Sequence, residues 1–330
     1  MSISKTKKLI KGAFAATVIG AASLMTAGAA LAEYPEKPIT FIVPWGAGGG
    51  TDTTARIVGK LMEEALGVPV NVVNRTGGQG VVGHSAIATA EPDGYTLGLI
   101  TAEVTMMHWQ GLTDLTYESY TPLGKMVGVV GGLQVKAGSE YADAQAVIDA
   151  IKANPGGMTG SGTGLGGIWH LNMAGMLTSA GLDADAVRWV PSEGAAPALQ
   201  ELVAGGVDIV TPSINESAAM IEAGEVVSLA VMAPERSVHF PDVPTLKEAT
   251  GIDWNAGSWN GVAGPAGLPD DVLAVLLPLI EEIQASEELA EFVNDRKLNL
   301  FALPADTWSG ELADIDAAMG DTMRAAGIIE

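Results

Sequence analysis

Near its start the chain passes from an apolar run through a glycine-rich loop into a helical pattern, and this order constrains the fold most. The run 39–44 predicts a buried strand, the loop 45–50 contains four glycines, and apolar residues between 57 and 66 lie on one helical face. The order of glycine loop, helix, strand, loop, helix and strand recurs about 115 residues later, from the loop 162–167. Such alternation predicts an α/β fold with mainly parallel sheets flanked by helices.

The repetition is one of layout and not of sequence, and it leaves two interpretations open. Either α/β units simply resemble one another, or the chain forms two similar lobes, each with a glycine loop at the carboxyl end of its first strand. Ligands in open α/β sheets bind at that edge, so two facing edges would form a cleft. For the first helix we expect Thr51 or Asp52 as the N-cap and Gly67 as the residue that ends it.

The last third of the chain is organised differently. The segment 254–269, rich in Gly, Pro and Trp, is typical of a connector. Helical patterns follow at 269–293 and 306–326. We expect these helices to return and cover the first lobe.

The first 32 residues predict a secretory signal peptide. Four lysines precede an apolar run that closes on Ala30-Leu31-Ala32, which favours cleavage after Ala32. The alternative is a membrane anchor, because the run is about long enough to cross a bilayer. The chain contains no cysteine, which excludes a lipoprotein anchor and disulfides. We therefore expect a soluble periplasmic protein.

The charge of the remaining chain excludes one class of partner. The signal segment carries four lysines and no acids, so 13 Lys and Arg face 39 Asp and Glu in the rest. We expect no binding to nucleic acid, whose affinity for proteins comes largely from cations that meet phosphates. Anions are repelled at long range, but salt limits that repulsion to about 8 Å. An anion site must therefore be local and well organised.

Each glycine loop is a candidate for such a site. A helix N-terminus leaves backbone N–H groups unpaired and carries a partial positive charge. Because glycines remove side-chain bulk, a carboxylate or phosphate can bind there without a cationic residue. This applies equally to 46–52 and 162–170. The alternative is that both are only tight strand-to-helix turns.

Motifs for catalysis are weak or missing from the sequence. Residues 162–167 match the dinucleotide-binding motif G-x-G-x-x-G, but the acidic residue that such a site needs after the next strand is not at the expected place. Neither loop has the lysine of the phosphate-binding motif G-x-x-x-x-G-K-[ST]. The four histidines have no metal-ligand spacing, and no serine sits in G-x-S-x-G. We therefore predict no enzyme, no catalytic residue, no cofactor and no metal site.

A few side chains outside the glycines are candidates for ligand contact. Trp45 and Trp259 could wall a pocket, although tryptophans often only pack. Ser213 and Asn215 follow a predicted strand and could bond a ligand, or Asn215 could cap the next helix. His170 could touch a ligand or simply fix the second loop.

At these residues the sequence resembles a known family, the tripartite tricarboxylate transporter substrate-binding proteins, also called the TctC or Bug family. The matching segments occur in the family's order over nearly the whole chain after the signal peptide. They are YPEKPITFIVPWGAGGGTDTTAR, VNVVNRTGGQGVVG, PDGYTLGLIT, the second glycine loop up to HL, VPSEGAAPALQELVAGGVDIV, LAVMAPERS, FPDVPTLKEATG and W-x-GVAGPAGLP.

The resemblance implies a two-lobe, Venus flytrap-like periplasmic binding protein of the type II kind. Lobe 1 would comprise 33–131 and 254–330, and lobe 2 would comprise 132–253. The implied ligand is a small carboxylate, a di- or tricarboxylate or a related organic acid, and the implied partner is a two-subunit TctA/TctB-type membrane permease. We expect the chain to act as a monomer. A periplasmic carboxylate sensor that feeds a receptor and an exported enzyme are the alternatives.

In the family, one strand–loop–helix segment per lobe grips a ligand carboxylate through backbone amides. One difference affects the transfer of these contacts: many members carry a serine two or three places before the histidine of the second loop, where this chain has Gly167. The predicted ligand-binding residues are Trp45, Gly46, Ala47, Gly48, Gly49, Gly50, Thr51 and Asp52 of the first loop, Gly162, Thr163, Gly164, Gly166, Gly167 and His170 of the second, and Ser213, Asn215 and Trp259.

Overall fold

A computed structural model describes residues 34–330 of the chain. The predicted signal peptide and its cleavage site lie outside the described residues. Within 34–330, no helix is both long enough and apolar enough to span a bilayer.

Strands and helices alternate through most of the described chain. The strands are β1 (Ile39–Val43), β2 (Val70–Asn74), β3 (Thr96–Thr101), β4 (Tyr120–Val130), β5 (Gly132–Lys136), β6 (Thr159–Ser161), β7 (Arg188–Val190), β8 (Ile209–Val210), β9 (Val226–Val231), β10 (Gly257–Pro265) and β11 (Asn299–Pro304). The helices are α1 (Gly50–Leu66), α2 (Val81–Ala88), α3 (Ala144–Ala153), α4 (Ile168–Ser179), α5 (Ala195–Ala204), α6 (Ala218–Glu222), α7 (Leu246–Thr250), α8 (Asp270–Gln284), α9 (Glu287–Asp295) and α10 (Ala305–Ala325).

The strands form two sheets, one in each lobe. The first has the order β11-β4-β10-β3-β1-β2 and the second the order β7-β6-β8-β5-β9. Pairs among β1, β2 and β3 are parallel, as are β6–β7 and β6–β8, whereas the pairs that involve β4, β5, β9, β10 or β11 are antiparallel. The α/β, two-lobe prediction is confirmed, but the sheets are mixed where we expected mainly parallel ones. The extra strands enter beside the parallel units and run against them.

The chain passes from the first sheet to the second at Gly131 and returns between β9 and β10. The two crossings lie side by side, because the N–H of Gly131 donates to the Ala256 carbonyl at 2.9 Å and the N–H of Met232 donates to the Gly131 carbonyl at 2.7 Å. These bonds tie both connecting segments together at one place. The lobe limits 33–131 with 254–330, and 132–253, stay a proposal.

Each sheet has its own apolar core. In the first lobe, Phe41 and Leu97 of the sheet pack with Met62 of α1 and Ile280 of α8, all fully buried. In the second, Leu133 packs with helix residues that include Ile148 and Met176. Burial of these faces is the main force that holds the helices on their sheets.

The first glycine loop leads directly into α1. The helix begins at Gly50, and Gly49 is its extended N-cap, with φ −76° and ψ 173°. Our expectation of Thr51 or Asp52 as the N-cap is therefore wrong: the Asp52 side chain instead accepts a bond from the N–H of Gly48. Gly67 ends the helix at φ 69°, a left-handed conformation that favours glycine, as predicted.

The segment expected to be a connector contains a central strand. Strand β10 lies between β3 and β4, and most of its side chains are buried. The sequence did not predict this strand because glycine has a low β-propensity. The glycines of β10 permit close packing instead: a Cβ on Gly261 would lie 2.3 Å from the Trp308 ring.

The C-terminal helices cover the first lobe, and the last of them reaches farther. Trp308 and Leu312 of α10 are buried beside strands of the first sheet. Near the other end of α10, Met323 is buried in a cluster with Ile168 and Leu171 of α4. The last helix therefore contacts both lobes.

Candidate functional site

A cavity of about 590 Å³, its open mouth included, lies between the lobes where α1 and α4 begin. Loops of both lobes and strand β10 contribute to its wall. The lining residues are Trp45, Gly46, Gly49, Gly50, Thr51, Thr54, Thr101, Glu103, Val127, Val129, Thr163, Ile168, Trp169, Gly194, Ala195, Glu216, Ser258, Trp259, Asn260 and Leu298.

The first glycine loop is held in place by hydrogen bonds to the side chain of Asp52, a residue that is only 2% exposed. Its carboxylate accepts bonds from the Gly48 N–H at 2.8 Å, from Arg56 at 2.8 and 3.0 Å, and from Asn74 at 2.8 Å. Burial alone would raise the pKa of Asp52, but these bonds, led by the one from Arg56, hold it below its ordinary value. Asn74 also donates to the carbonyl of Trp45 at 2.9 Å. The loop is therefore preorganised, with Gly48 held at φ +85°.

Trp45 is positioned by a chain of hydrogen bonds that passes through Thr101. The indole N–H donates to Thr101 Oγ1 at 3.2 Å, and that hydroxyl donates to Glu103 Oε2 at 2.5 Å. The backbone N–H of Thr101 donates to His84 Nε2 at 3.2 Å, which leaves Nδ1–H of His84 to donate to the Gly80 carbonyl at 2.8 Å. Burial lowers the pKa of His84 to about 4, so the ring is neutral at pH 7 and this tautomer is fixed.

Glu103 of the first lobe reaches the N-terminus of α4 in the second. Its Oε1 accepts a bond from the backbone N–H of Ile168 at 3.2 Å, and the side chain is 2% exposed. Burial raises the pKa of Glu103, while the bonds from Thr101 and Ile168 oppose that rise. A side chain of this protein thus accepts a hydrogen bond at a helix N-terminus, the kind of site that favours anions.

Glu216 makes the reciprocal contact from the second lobe to the first. Its Oε1 accepts a bond from the Gly50 N–H at 3.3 Å, at the start of α1. Its Oε2 accepts bonds from the N–H and the hydroxyl of Ser213 at 3.2 and 3.0 Å. Burial raises the pKa of Glu216, and the charge of Glu103 raises it further. The two carboxylates therefore interact across the cavity.

A third contact joins the lobes beside these two. The N–H of Gly46 donates to the Glu193 carbonyl at 2.9 Å. Together with the two glutamate bonds, it holds the lobes against each other around the cavity.

His170 stabilises the second glycine loop internally. Its Nδ1 accepts a bond from the N–H of Gly166 at 3.0 Å, and its ring lies 4.9 Å from the Trp189 ring, centroid to centroid. Burial lowers the pKa of His170 to about 4. Gly166 has φ +81°, so this bond supports a left-handed turn. Of the two roles considered for His170, this contact supports the fixing of the loop.

The structure gives a reason for glycine at position 167. A Cβ there would lie 2.4 Å from Thr163 Oγ1 and 3.2 Å from the Gly164 carbonyl oxygen. The Thr163 hydroxyl therefore occupies the space that a serine side chain at 167 would need. Thr163 itself lines the cavity.

The structure brings part of the predicted ligand-binding set to the cavity wall. Residues of both loops and Trp259 of β10 line it: Trp45, Gly46, Gly49, Gly50, Thr51, Thr163 and Trp259. The other predicted residues do not appear among the lining residues: Ala47, Gly48, Asp52, Gly162, Gly164, Gly166, Gly167, His170, Ser213 and Asn215.

Several of these non-lining residues hold lining ones in place. Ser213 orients Glu216, and the Asn215 side chain donates to the Lys297 carbonyl. Helix α6 begins at Ala218 after Ser217, so Asn215 is not its N-cap, contrary to the alternative considered for it. Contact with a ligand stays a prediction for every residue of the set.

The sequence analysis did not identify the acidic and polar side chains that line the cavity outside the two glycine loops. Glu103 follows the carboxyl end of β3, and Glu216 lies six residues after the end of β8. Position at a strand's carboxyl end was the available signal for Glu103. Asn260 and Ser258 carried no such signal, because β10 was read as a connector.

No group of three or more Asp, Glu or His residues within 34–330 is placed to hold a metal ion.

Comparison with known families gives a match over most of the chain. The model of the tripartite tricarboxylate transporter family receptor, TctC, matches residues 54–325. This match covers both lobes and the segments that join them.

Individual proteins give the same result. The chain is 32% identical to the protein BugT of Bordetella pertussis over 307 residues, which cover 90% of this chain and 89% of BugT. The solved structure of the periplasmic binding protein BugD is 25% identical, with a TM-score of 0.83 over 90% of this chain and 99% of that one. A structure of MatC from Rhodopseudomonas palustris with bound malate, 24% identical, shares the fold with a TM-score of 0.79 over 88% of this chain and 99% of that one.

Proposed function

Because this chain belongs to the tripartite tricarboxylate transporter receptor family, we propose that it captures a small organic acid between its lobes and delivers it to a TctA/TctB-type membrane permease of two integral subunits. The protein would act in the periplasm as a monomer, after removal of its signal peptide, and would catalyse no reaction. The family is one of solute receptors, which supports this role.

One observation carries the proposal. The first turns of α1 and α4, one from each lobe, face the same cavity, so one ligand can contact backbone N–H groups of both lobes. Thr51 in α1 and Trp169 in α4 line it. Two positions further along, the N–H groups of Thr53 and Leu171 already donate to the carbonyls of the N-cap residues Gly49 and Gly167. First-turn N–H groups are the ones that a helix leaves for an anion.

Closure would couple binding to transport. A ligand that bridges the lobes shifts the population toward the closed form, by no more than its preference for that form. Exclusion of water strengthens the hydrogen bonds to the ligand because the local dielectric falls. The permease would recognise the closed form, which presents surfaces of both lobes in one fixed arrangement.

A thermal-shift screen of the protein without its signal peptide tests the proposal. The protein is denatured and refolded to remove bound ligand, then heated with organic acids, amino acids, sugars and phosphate esters. A ligand at 100 times its Kd adds about 2.7 kcal/mol to the free energy of unfolding, a shift of several degrees in Tm. Selective response to carboxylic acids, amino acids included, is the expected result. Response to sugars or phosphate esters alone would contradict the assignment.

A further inference from the structure

The cavity is rich in acceptors and has no cationic side chain in its wall. Among the described residues that line it, the charged ones are Glu103 and Glu216, and none is Lys, Arg or His. A ligand with only negative groups would enter a space that already holds two carboxylates. Like charges at close range in a desolvated site repel strongly.

These two carboxylates also occupy backbone donors that a ligand carboxylate would use. The Gly50 N–H donates to Glu216 Oε1 at 3.3 Å, and the Ile168 N–H donates to Glu103 Oε1 at 3.2 Å. The second oxygen of each accepts from Ser213 or Thr101. Each carboxyl is therefore held at both oxygens, and a cation beside it would favour the ionised form that burial disfavours.

An independent observation, two unpaired polar atoms in the cavity wall, indicates the chemistry of the ligand. Asn260 Oδ1 has no hydrogen-bond partner within the described chain, although the residue is only 8% exposed and lines the cavity. Thr54 Oγ1 of α1 is fully buried, lines the cavity as well, and has no partner within the described chain either. Buried polar atoms in proteins are almost always satisfied. An unpaired amide oxygen calls for a donor on the ligand.

The two glutamates, together with Asn260, favour a positively charged donor. Burial and the charge of Glu103 both raise the pKa of Glu216, so the pair is strained as long as both groups are ionised. A cation that enters the cavity relieves this repulsion and gains from both charges. An ammonium group supplies three N–H donors, which matches two carboxylates and one amide oxygen.

We propose that the ligand is an organic acid that carries an amine, and that Glu103, Glu216 and Asn260 Oδ1 hold its ammonium group. The ligand's carboxylate is left to the first-turn N–H groups of Thr51 and Trp169. This inference rests on the proposed function, because it names the class of solute within it. It separates amino-substituted acids from the plain di- and tricarboxylates.

Competitive retention of matched ligand pairs tests the inference. Refolded protein without its signal peptide is incubated with an equimolar mixture of succinate and aspartate, glutarate and glutamate, and butyrate and 4-aminobutyrate, and with a bacterial small-metabolite extract. Retained compounds are separated from free ones, treated with an amine-reactive reagent and identified by mass spectrometry. We expect amine-bearing acids to be enriched at least tenfold over their amine-free partners or over other acids of the extract.

The other outcomes separate this inference from the proposed function. Enrichment of an amine-free acid would overturn the ammonium site and leave the solute receptor intact. Retention of no organic acid from either mixture would overturn the proposed function, and the inference with it.

Substitution of the two glutamates gives a second test. Glu103→Gln and Glu216→Gln keep the shape and one acceptor of each side chain but remove its charge. Each should weaken binding of the retained amine ligand at least tenfold by calorimetry, and should not weaken binding of its amine-free partner, because one repelling charge is removed. Glu235→Gln, at an exposed position, serves as the matched control. Wild-type affinity in both cavity variants would overturn the inference, since both remove a buried charge and neither opens a void.

Discussion

Glu216 Oε1 lies 3.3 Å from the backbone nitrogen of Gly50, so a side chain of the second lobe accepts a hydrogen bond at the start of a helix in the first. The two residues are 166 positions apart in the chain. Their contact, with its counterpart between Glu103 and Ile168, links closure of the lobes to the chemistry of the cavity. Changes at either end of such a contact should therefore affect ligand affinity more than stability.

Gly50→Ala tests that link. A Cβ at Gly50 would lie 3.2 Å from Glu216 Oε1 and 3.3 Å from its Cγ, so the glutamate has to move and its bond weakens. A hydrogen bond to a charged group contributes about 1.5–3 kcal/mol. Because this bond joins the two lobes, its loss disfavours the arrangement that binds the ligand and should lower affinity roughly tenfold, measured by calorimetry. The free energy of unfolding should fall by less, because alanine suits a helix better than glycine and offsets part of the lost bond.

Gly310→Ala is the matched control for Gly50→Ala. Gly310 also lies in a helix, α10, but it is exposed and outside the cavity wall. Its Cβ would meet no atom within 4 Å. Equal loss of affinity in the two variants would contradict a specific role for the Glu216 contact.

Asp52→Asn should loosen the first glycine loop. The change removes the charge that binds Arg56 and weakens the bond from Gly48. We expect the free energy of unfolding to fall by about 1–3 kcal/mol at pH 7. Denaturant titration measures it, with Asp242→Asn at an exposed position as the control.

The effect of Asp52→Asn also depends on pH with a defined sign. The pKa of Asp52 is held below its ordinary value of 3.8 in the folded chain, so its stabilisation is present above that value. It is lost as the pH falls through the depressed folded pKa. A difference between wild type and variant that stays constant into this acid range would contradict the ion-pair explanation.

His84 should make the fold less stable in mild acid. Its folded pKa of about 4 lies below the ordinary value of 6.5, so between these values the unfolded chain binds a proton that the folded chain does not. Stability from this group is full above pH 6.5 and falls as the pH approaches 4, by about 3 kcal/mol in all. Buried Glu103 and Glu216 act with the opposite sign, because their pKa values are raised.

Comparison with His84→Gln isolates the histidine, because both glutamates are retained. The difference in unfolding free energy between wild type and variant should shrink from pH 7 to pH 4.5 in denaturant titrations. A difference that is independent of pH would show that His84 does not titrate in the folded state as described.

Gly167→Ser should destabilise the second glycine loop unless the side chain of Thr163 is removed as well. The new Cβ would lie 2.4 Å from Thr163 Oγ1, and overpacking of this kind costs about 1–3 kcal/mol. Thr163→Gly combined with Gly167→Ser should recover most of the loss, which is a test by double-mutant cycle. Additive effects of the two changes would contradict a steric exchange between these positions.

Much of the fold follows from the sequence because its signals are local. The strand β1, the apolar face of α1 and the terminating glycine at Gly67 all depend on residues within a few turns of each other. Helix α4, which follows the second glycine loop, begins at Ile168, and Gly181 follows it at φ +74°. These short-range patterns were enough to predict an α/β chain, whereas two lobes were one of two interpretations of their repetition and were implied by the family resemblance.

Signals that depend on distant partners were misread. Strand β10 resembles a connector because its glycines lower its local strand propensity, and only its neighbours β3 and β4, together with Trp308, explain why small residues stand there. The same applies to Gly167, because only the folded structure shows that the Thr163 hydroxyl leaves no room for a side chain there.

The sequence by itself determined that two glycine loops precede two helices and that each helix start can bind an anion, because a helix creates its free N–H groups from its own backbone. Only the tertiary structure decided what meets those groups. Folding brings Glu216 to Gly50 and Glu103 to Ile168 from the opposite lobe. Charge acts through space and not along the chain, so the acidic character of the cavity exists only once the two lobes face each other.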